Sequence, residues 1–153
     1  MASVENSDII DALAKNEQYI AALYKKYADR FPDYREFWEN LSAEELVHAE
    51  KLQTISQVKS GDSILIKGRF NIIAIQNFSK RVLAEAESVN IINSTLVSAL
   101  SMALNIEQSL IEQKYFEVFE SDAVELKQVF SSLAADTRRH LENVRQLWAK
   151  QQQ

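Results

Sequence analysis

The chain has 153 residues with no cysteine, two glycines, one proline and a formal net charge of −5. That length suits one domain that buries its own core without disulfides, and the acidic balance gives no general attraction to phosphate backbones or anionic membranes. The longest apolar region, residues 64–78, is broken by Lys67 and Arg69, and the N-terminus is acidic rather than basic and then apolar, so the sequence predicts neither a membrane span nor a signal peptide.

Nucleic acid and membrane are therefore not expected as partners, and a cytoplasmic location follows by default. The scarcity of glycine and proline beside a large supply of Ala, Leu, Glu, Gln and Lys predicts an all-α chain, read as a single domain over 1–153. A first helix is expected from about Asp8, capped by Ser7, to Arg30, with Pro32 disfavouring helical geometry at Phe31. Its apolar stripe of Leu13, Ile20, Tyr24, Tyr27 and Phe31 is interrupted by Glu17. Asp33 is placed to cap a second helix over 34–60, in which Trp38, Leu41, Leu52 and Ile55 flank Glu45 and His48. That acid and imidazole project to one face from consecutive turns. Ser60-Gly61-Asp62-Ser63 reads as an exit loop, and 64–70, apolar and basic without clear period, reads either as extended chain or as the start of a helix.

Ile72, Ile75, Phe78, Val82 and Ala86 predict a shorter amphipathic helix over 71–87. A third long helix is expected from near Ser94, capped by Asn93 or Ser94, to Glu120, with Leu96, Leu100, Ala103, Leu110 and Ile111 around Glu107. The last begins at Ser121 and Asp122 and runs to Lys150; Val129, Leu133, Val144 and Leu147 surround His140, with Asp136 and Thr137 one turn earlier. Short links make the first two and the last two long helices antiparallel hairpins, while 61–92 can cross the length of a bundle.

Each of the four long apolar stripes is thus interrupted by a group able to bind a metal. Three carboxylates and two imidazoles buried at one level would be costly, because an unpaired ionised group in an apolar interior loses several kcal/mol. A cation between them is the simplest compensation.

Asn16-Glu17-Gln18-Tyr19, Glu44-Glu45-Leu46-Val47-His48-Ala49-Glu50, Glu107 and His140 together resemble the rubrerythrin and ferritin-like di-iron carboxylate proteins, whose pattern is one Glu from each of two helices and Glu-x-x-His from each of two others. The resemblance covers nearly the whole chain and implies a ferritin-like four-helix bundle with a long crossover carrying a short extra helix. It makes Glu17 a terminal carboxylate, Glu45 a carboxylate able to bridge two metals, His48 and His140 nitrogen ligands, and Glu107 a second bridging or terminal carboxylate. It likens Tyr24 to the tyrosine kept beside such metals, a hydrogen-bond partner or one-electron donor. The implied cofactor is one or two iron ions, with manganese or zinc suited to the same donors. The implied chemistry, of ferroxidase or peroxidase type, is reaction of a reduced metal with oxygen or peroxide, and turnover needs an external electron donor.

The chain departs from the pattern at Thr137, which stands where the second motif requires Glu. Asp136 is the nearby substitute, about 40° around the helix from His140 against about 60° on the other side for Thr137, and a ligand role with His140 follows for it. Fewer metal ions than in a complete relative are then expected, held on the Glu45 and His48 side. The competing assignment is a metal-free ferritin-like bundle serving as an interaction or structural module, its Glu and His groups kept as internal hydrogen bonds. Glu44 is expected to face solvent or pair with lysine, and Arg138 with Arg139 to form a solvated face. Ile72, Ile73, Ile75 and Phe78 either pack on the bundle or supply a homodimer surface.

Overall fold

Pro32 sets the first reversal. It opens a three-residue 3-10 turn, Pro32–Tyr34, between helix α1, Ala2–Arg30, and helix α2, Arg35–Val58. In this computed structural model the described residues are 2–58, 64–66, 72–90, 94–112, 119–121 and 124–153, with side chains described for 9–55, 73–90, 94–110 and 127–153. They form three further helices, α3 (Ile72–Ser88), α4 (Leu96–Glu112) and α5 (Val124–Gln151), and two short strands, β1 (Ile64–Ile66) and β2 (Phe119–Ser121).

The chain is therefore essentially all-helical, with several boundaries displaced from those expected. Helix α1 begins at Ala2, so Ser7 lies within it rather than capping it, and Asp33 sits inside the 3-10 turn. The cap of α4 is Thr95: its hydroxyl accepts the Ser98 N–H at 3.1 Å while its own N–H donates to Ser98 Oγ at 3.0 Å, a reciprocal pair that satisfies two otherwise free donors. Residues 119–121, expected as the end of a helix and the start of the next, are extended and pair antiparallel with 64–66 in the register Ile64 to Ser121, Leu65 to Glu120 and Ile66 to Phe119. Isoleucine, leucine and phenylalanine suit a pleated surface, and the strand pair binds the crossover to the α4–α5 connection. The expected exit loop at 60–63 lies outside the described residues.

Side-chain contacts give the helix directions. Lys25 meets Glu39 and Ser42 meets the Ala21 carbonyl, so α1 and α2 are antiparallel. Trp148 meets Ser101 near one end of the α4–α5 pair and His140 meets Glu107 farther along it, so those helices are antiparallel too. Arg30 to Ser94 and Tyr24 to Glu107 set α4 antiparallel to α1, while Glu44 to His140 and His48 to Asp136 set α5 antiparallel to α2. Up, down, down, up is the resulting sense of the four long helices. Two successive helices run the same way only because the connection between them returns the chain to its starting end. Helix α3 makes that return, lying parallel to α1 through Asn16 to Ser79, Tyr27 to Glu85 and Lys26 to the Ala86 carbonyl.

All five helices feed one apolar cluster that includes Leu13, Ile20, Leu52, Ile75, Leu100, Ile106, Leu133 and Val144. Near the α1–α2 turn it becomes aromatic: Trp38, fully buried, has Tyr27 at 4.8 Å, Phe37 at 5.1 Å and Tyr24 at 5.5 Å between ring centroids. Ile75 and Phe78 are buried within this cluster, packing on the bundle, while Ile73 is exposed and the Ile72 side chain lies outside the described residues. None of the described helices is long and apolar enough to cross a membrane.

Truncating Trp38 removes the shared partner of three rings. Trp38→Ala is expected to cost about 3–5 kcal/mol of stability in a denaturant titration, whereas Leu46→Ala, at a side chain that is about half exposed, should change it by less than about 0.5 kcal/mol. Equal effects at the two positions would contradict this core.

Candidate metal centre

Glu17 on α1, Glu45 and His48 on α2, Glu107 on α4 and His140 on α5 are each buried to 1% exposure or less. The helical period explains their shared level. In each helix the polar group occupies the apolar face, so the packing that buries its neighbours one turn away buries it as well. The five groups form two triads, Glu17–Glu45–His48 and Glu45–Glu107–His140, and in each triad one donor atom per residue lies within 4.8 Å of the others.

Glu45 belongs to both triads through different oxygens. Its Oε2 is 3.3 Å from His48 Nδ1, and its Oε1 is 2.7 Å from His140 Nδ1. His48 Nδ1 is also 4.0 Å from Glu17 Oε2, and His140 Nδ1 is 3.8 Å from Glu107 Oε1. The two imidazoles stack with centroids 5.5 Å apart. Tyr24 donates its hydroxyl to Glu107 Oε1 at 2.8 Å, which sets the expected tyrosine beside the cluster.

Several of these atoms are close without being satisfied. Among the described residues six buried side-chain polar atoms lack a hydrogen bond, and four of them are Glu17 Oε2, Glu45 Oε1, Glu107 Oε2 and His140 Nδ1. The 2.7 Å approach of Glu45 to His140 is therefore short yet misaligned for a hydrogen bond. Ligands at right angles on one metal with bonds of about 2.1 Å stand about 3 Å apart, and opposite ones about 4.2 Å. The separations in both triads fall in or near that range, and carboxylate with imidazole is a donor set suited to iron, manganese or zinc.

The outer face of each histidine is satisfied by the opposite helix. His48 Nε2 is 3.0 Å from Asp136 Oδ2, and His140 Nε2 is 3.0 Å from Glu44 Oε2. Arg139 joins the two acids, donating to Glu44 Oε1 at 2.7 Å and to Asp136 Oδ1 at 3.1 Å. Such carboxylates orient an imidazole and raise its basicity as a ligand.

Asp136, expected beside His140, stands outside both triads, with its Oδ2 at 3.0 Å from His48 Nε2 on α2. A short side chain four residues before His140 lies on the flank of α5 that meets α2, so it reaches the neighbouring ring before it can reach the cluster. Glu44, expected to face solvent or pair with lysine, pairs instead with His140 and Arg139, and Arg139 joins this network while remaining exposed. Their signal was present: each histidine has an acid four residues earlier, Glu44 before His48 and Asp136 before His140. Thr137 occupies the position of α5 that matches Glu45 on α2, buried, with its hydroxyl donated to the Leu133 carbonyl at 2.9 Å. Beside the group on the Glu45 and His48 side, the geometry brings Glu107 and His140 together with Glu45 as a second three-donor group.

Protonation is shared unevenly. Burial, reinforced by Glu45, raises the Glu17 carboxyl well above its ordinary value, and burial with the Glu45 charge pushes Glu107 up to about 8. Burial opposes ionisation of Glu45 too, but Glu17 and the two imidazoles outweigh it and hold that carboxyl well below the usual range. Burial alone would lower His140; Glu45 and then Glu107 and Glu44 reverse this and raise it to about 9. Burial and Glu107 keep the Tyr24 phenol protonated far above its usual range.

No protein-family model, curated protein or solved structure matches this chain.

The pKa values set the pH response of the metal-free protein. Glu107, raised from 4.5 to about 8, and His140, raised from 6.5 to about 9, retain protons that the unfolded chain has released. Their contributions are complete below the unfolded values and are lost as pH rises through the folded ones. Glu45 has the opposite sign, its contribution being lost as pH falls below 4.5. The melting temperature of chelator-treated protein is thus expected to fall between about pH 6 and about pH 9, and Glu107→Gln should flatten that fall. A melting temperature that rises over the interval would contradict the assignment.

Proposed function

We propose that the chain is a ferritin-like four-helix bundle of the rubrerythrin and di-iron carboxylate kind, with two adjacent metal positions that share Glu45. The observation that carries it is the division of one buried carboxylate between two triads, Oε2 toward His48 and Oε1 toward His140, with unpartnered donor atoms on both sides. The up, down, down, up sense of α1, α2, α4 and α5 supports the bundle, since that connectivity with one long crossover is the ferritin-like one.

Glu17, Glu45 and His48 would hold one ion, and Glu45, Glu107 and His140 the other. Iron, with manganese as the close substitute, would supply electron exchange with oxygen or peroxide, balanced by an external reductant. The chain's own residues prepare the site for it. Asp136 and Glu44 accept from the outer ring nitrogens and leave both Nδ1 atoms facing inward, and Arg139 holds the two acids in place. Tyr24 fixes the Glu107 carboxylate and is the nearest phenol from which an electron could be drawn. The surrounding apolar cluster keeps bulk water from the donors.

Thr137 favours a second possibility, a metal-free bundle acting as a structural or interaction module, because it removes one carboxylate from the pattern. The two are separated by melting curves. Anaerobic ferrous iron should raise the melting temperature of the metal centre, as any ligand that binds only the folded state does. In the metal-free bundle it should not, and Glu45→Gln with His48→Gln should then be tolerated or stabilising.

The shared carboxylate makes the stoichiometry specific. Glu45→Ala should abolish binding at both positions, while Glu17→Ala and Glu107→Ala should each leave one ion per chain by elemental analysis. Equal loss from all three, or binding that survives Glu45→Ala, would be inconsistent with two triads sharing a ligand. Removal of an outer carboxylate should act more gently: Asp136→Ala or Glu44→Ala is expected to weaken metal affinity about 10–100-fold without changing the number bound, as read by competition with a chromophoric chelator.

A further inference from the structure

We infer that Trp38 and Tyr27 form a relay that carries one electron at a time between the metal centre and the α1–α3 side of the bundle, with Glu85 taking and returning the Tyr27 proton. The inference rests on the two-position metal centre proposed above.

The rings make a continuous series. Tyr24 donates to Glu107, so its phenol stands at the cluster. Trp38 lies 5.5 Å from Tyr24 between centroids, and Tyr27 lies 4.8 Å from Trp38. Tyr24 and Tyr27 are themselves 6.5 Å apart on α1, with ring planes 28° from parallel. All three are fully buried. Rings at such separations are in contact. Electron transfer falls off exponentially with distance, so touching rings that can each be oxidised carry an electron farther than a single step across an aliphatic core. In a chain without cysteine, tyrosine and tryptophan are the side chains most easily oxidised by one electron. Phe31 and Phe37 touch the same group but only pad it.

The polar atoms assign the parts. Tyr24 points its hydroxyl toward α4, whereas Tyr27 donates to Glu85 Oε1 on α3 at 3.1 Å, so the series runs from the cluster to the crossover helix. Glu85 is partly exposed. An oxidised phenol is a strong acid, and a carboxylate within hydrogen-bond distance takes its proton where a backbone carbonyl would not. Trp38 is built the other way. Its Nε1 is buried and has no hydrogen-bond partner among the described residues. An indole can only donate there, and an unmet buried donor is costly unless it has a role such as redox. With no acceptor, the oxidised indole keeps its proton and draws the electron from Tyr27.

The step balances. With oxygen or peroxide as the oxidant at the centre, one electron leaves Tyr27 by way of Trp38 and Tyr24, the Tyr27 O–H bond breaks and the proton passes to Glu85. A neutral phenoxyl on Tyr27 and a carboxylic acid on Glu85 result. A one-electron reductant of the ascorbate class, approaching the Glu85 side, returns the electron, and Glu85 returns the proton to reform the O–H bond. The net transfer is one electron from reductant to centre, with no proton gained or lost by the relay.

The test uses the whole chain loaded anaerobically with ferrous iron, counted by elemental analysis, then mixed with hydrogen peroxide and frozen at intervals for electron paramagnetic resonance. The expected signal is a tyrosyl radical, identified by its narrowing with ring-deuterated tyrosine and removed by ascorbate. Tyr27→Phe, which keeps the ring packing, should lose that signal. Glu85→Gln should leave it too short-lived to trap, and Trp38→Phe should lower its yield, all three with the iron content of the wild type. Iron without a tyrosyl radical, or a radical unchanged by Tyr27→Phe, would overturn the relay and leave the metal centre standing. A signal indifferent to Glu85→Gln or to Trp38→Phe would do the same. Variants that lose their iron would make these residues structural supports of the centre and overturn the relay too, and a wild-type chain that binds no iron overturns the centre and the relay together.

Discussion

A carboxylate taken wholly out of water must be neutralised, protonated or shared, and Glu45 is shared. Its two oxygens face two imidazoles from different helices, and Glu17, whose carboxyl is raised by burial and by Glu45, stands on a third. Everything at this level of the molecule is arranged around that group. Glu107 retains its proton into the neutral range because burial and the Glu45 charge both oppose its ionisation, His140 becomes more basic because Glu45 outweighs its burial, and Tyr24 is held as a neutral donor to Glu107. Protons and metal ions compete for the same atoms in such a cluster, so the electrostatics that tie stability to pH also tie metal affinity to pH.

The cluster has two different surroundings. Toward the α1–α2 turn lies the aromatic group of Tyr24, Tyr27, Phe37 and Trp38, which packs without supplying charge. Toward the α2–α5 face lies a ring of charged groups that runs from His48 through Asp136, Arg139 and Glu44 to His140. The first gives the site a fixed wall of low polarity. The second connects both histidines to the surface through acids that Arg139 and the imidazoles hold below their usual range, so they stay ionised while the inner carboxyls compete for protons. An imidazole fastened at its outer nitrogen presents its inner nitrogen in one orientation, which matters more here than the small net stability of the partly exposed ion pairs.

Asymmetry at one residue then becomes informative. Because Glu44 and Asp136 are related in position and in bonding, Thr137 stands out as the place where α5 lacks the inward carboxylate that Glu45 supplies on α2. A buried threonine that returns its hydroxyl to the preceding turn is locally content. What it withdraws is a charge from a place where the neighbouring atoms remain unpartnered.

The sequence by itself determined the helices, their apolar faces and the five inward polar groups, because these follow from a local period of 3.6 residues and from which residues break it. It also determined the long return between the hairpins, since Ile75, Phe78, Val82 and Ala86 mark a helix too far from its neighbours in sequence to be a turn. Local signals misled where two near-equal choices compete: Thr95 rather than Ser94 caps α4, and 119–121 pair as a strand with 64–66 rather than continuing a helix. Tertiary structure alone decided which donor meets which. The period puts Asp136 near the face of His140, but packing α5 against α2 gives Asp136 to His48, gives His140 to Glu44, and sets Arg139 between the acids. A helix position specifies a direction to within a few tens of degrees, whereas a hydrogen bond is made or lost within about half an ångström, and only the packed neighbour supplies that precision.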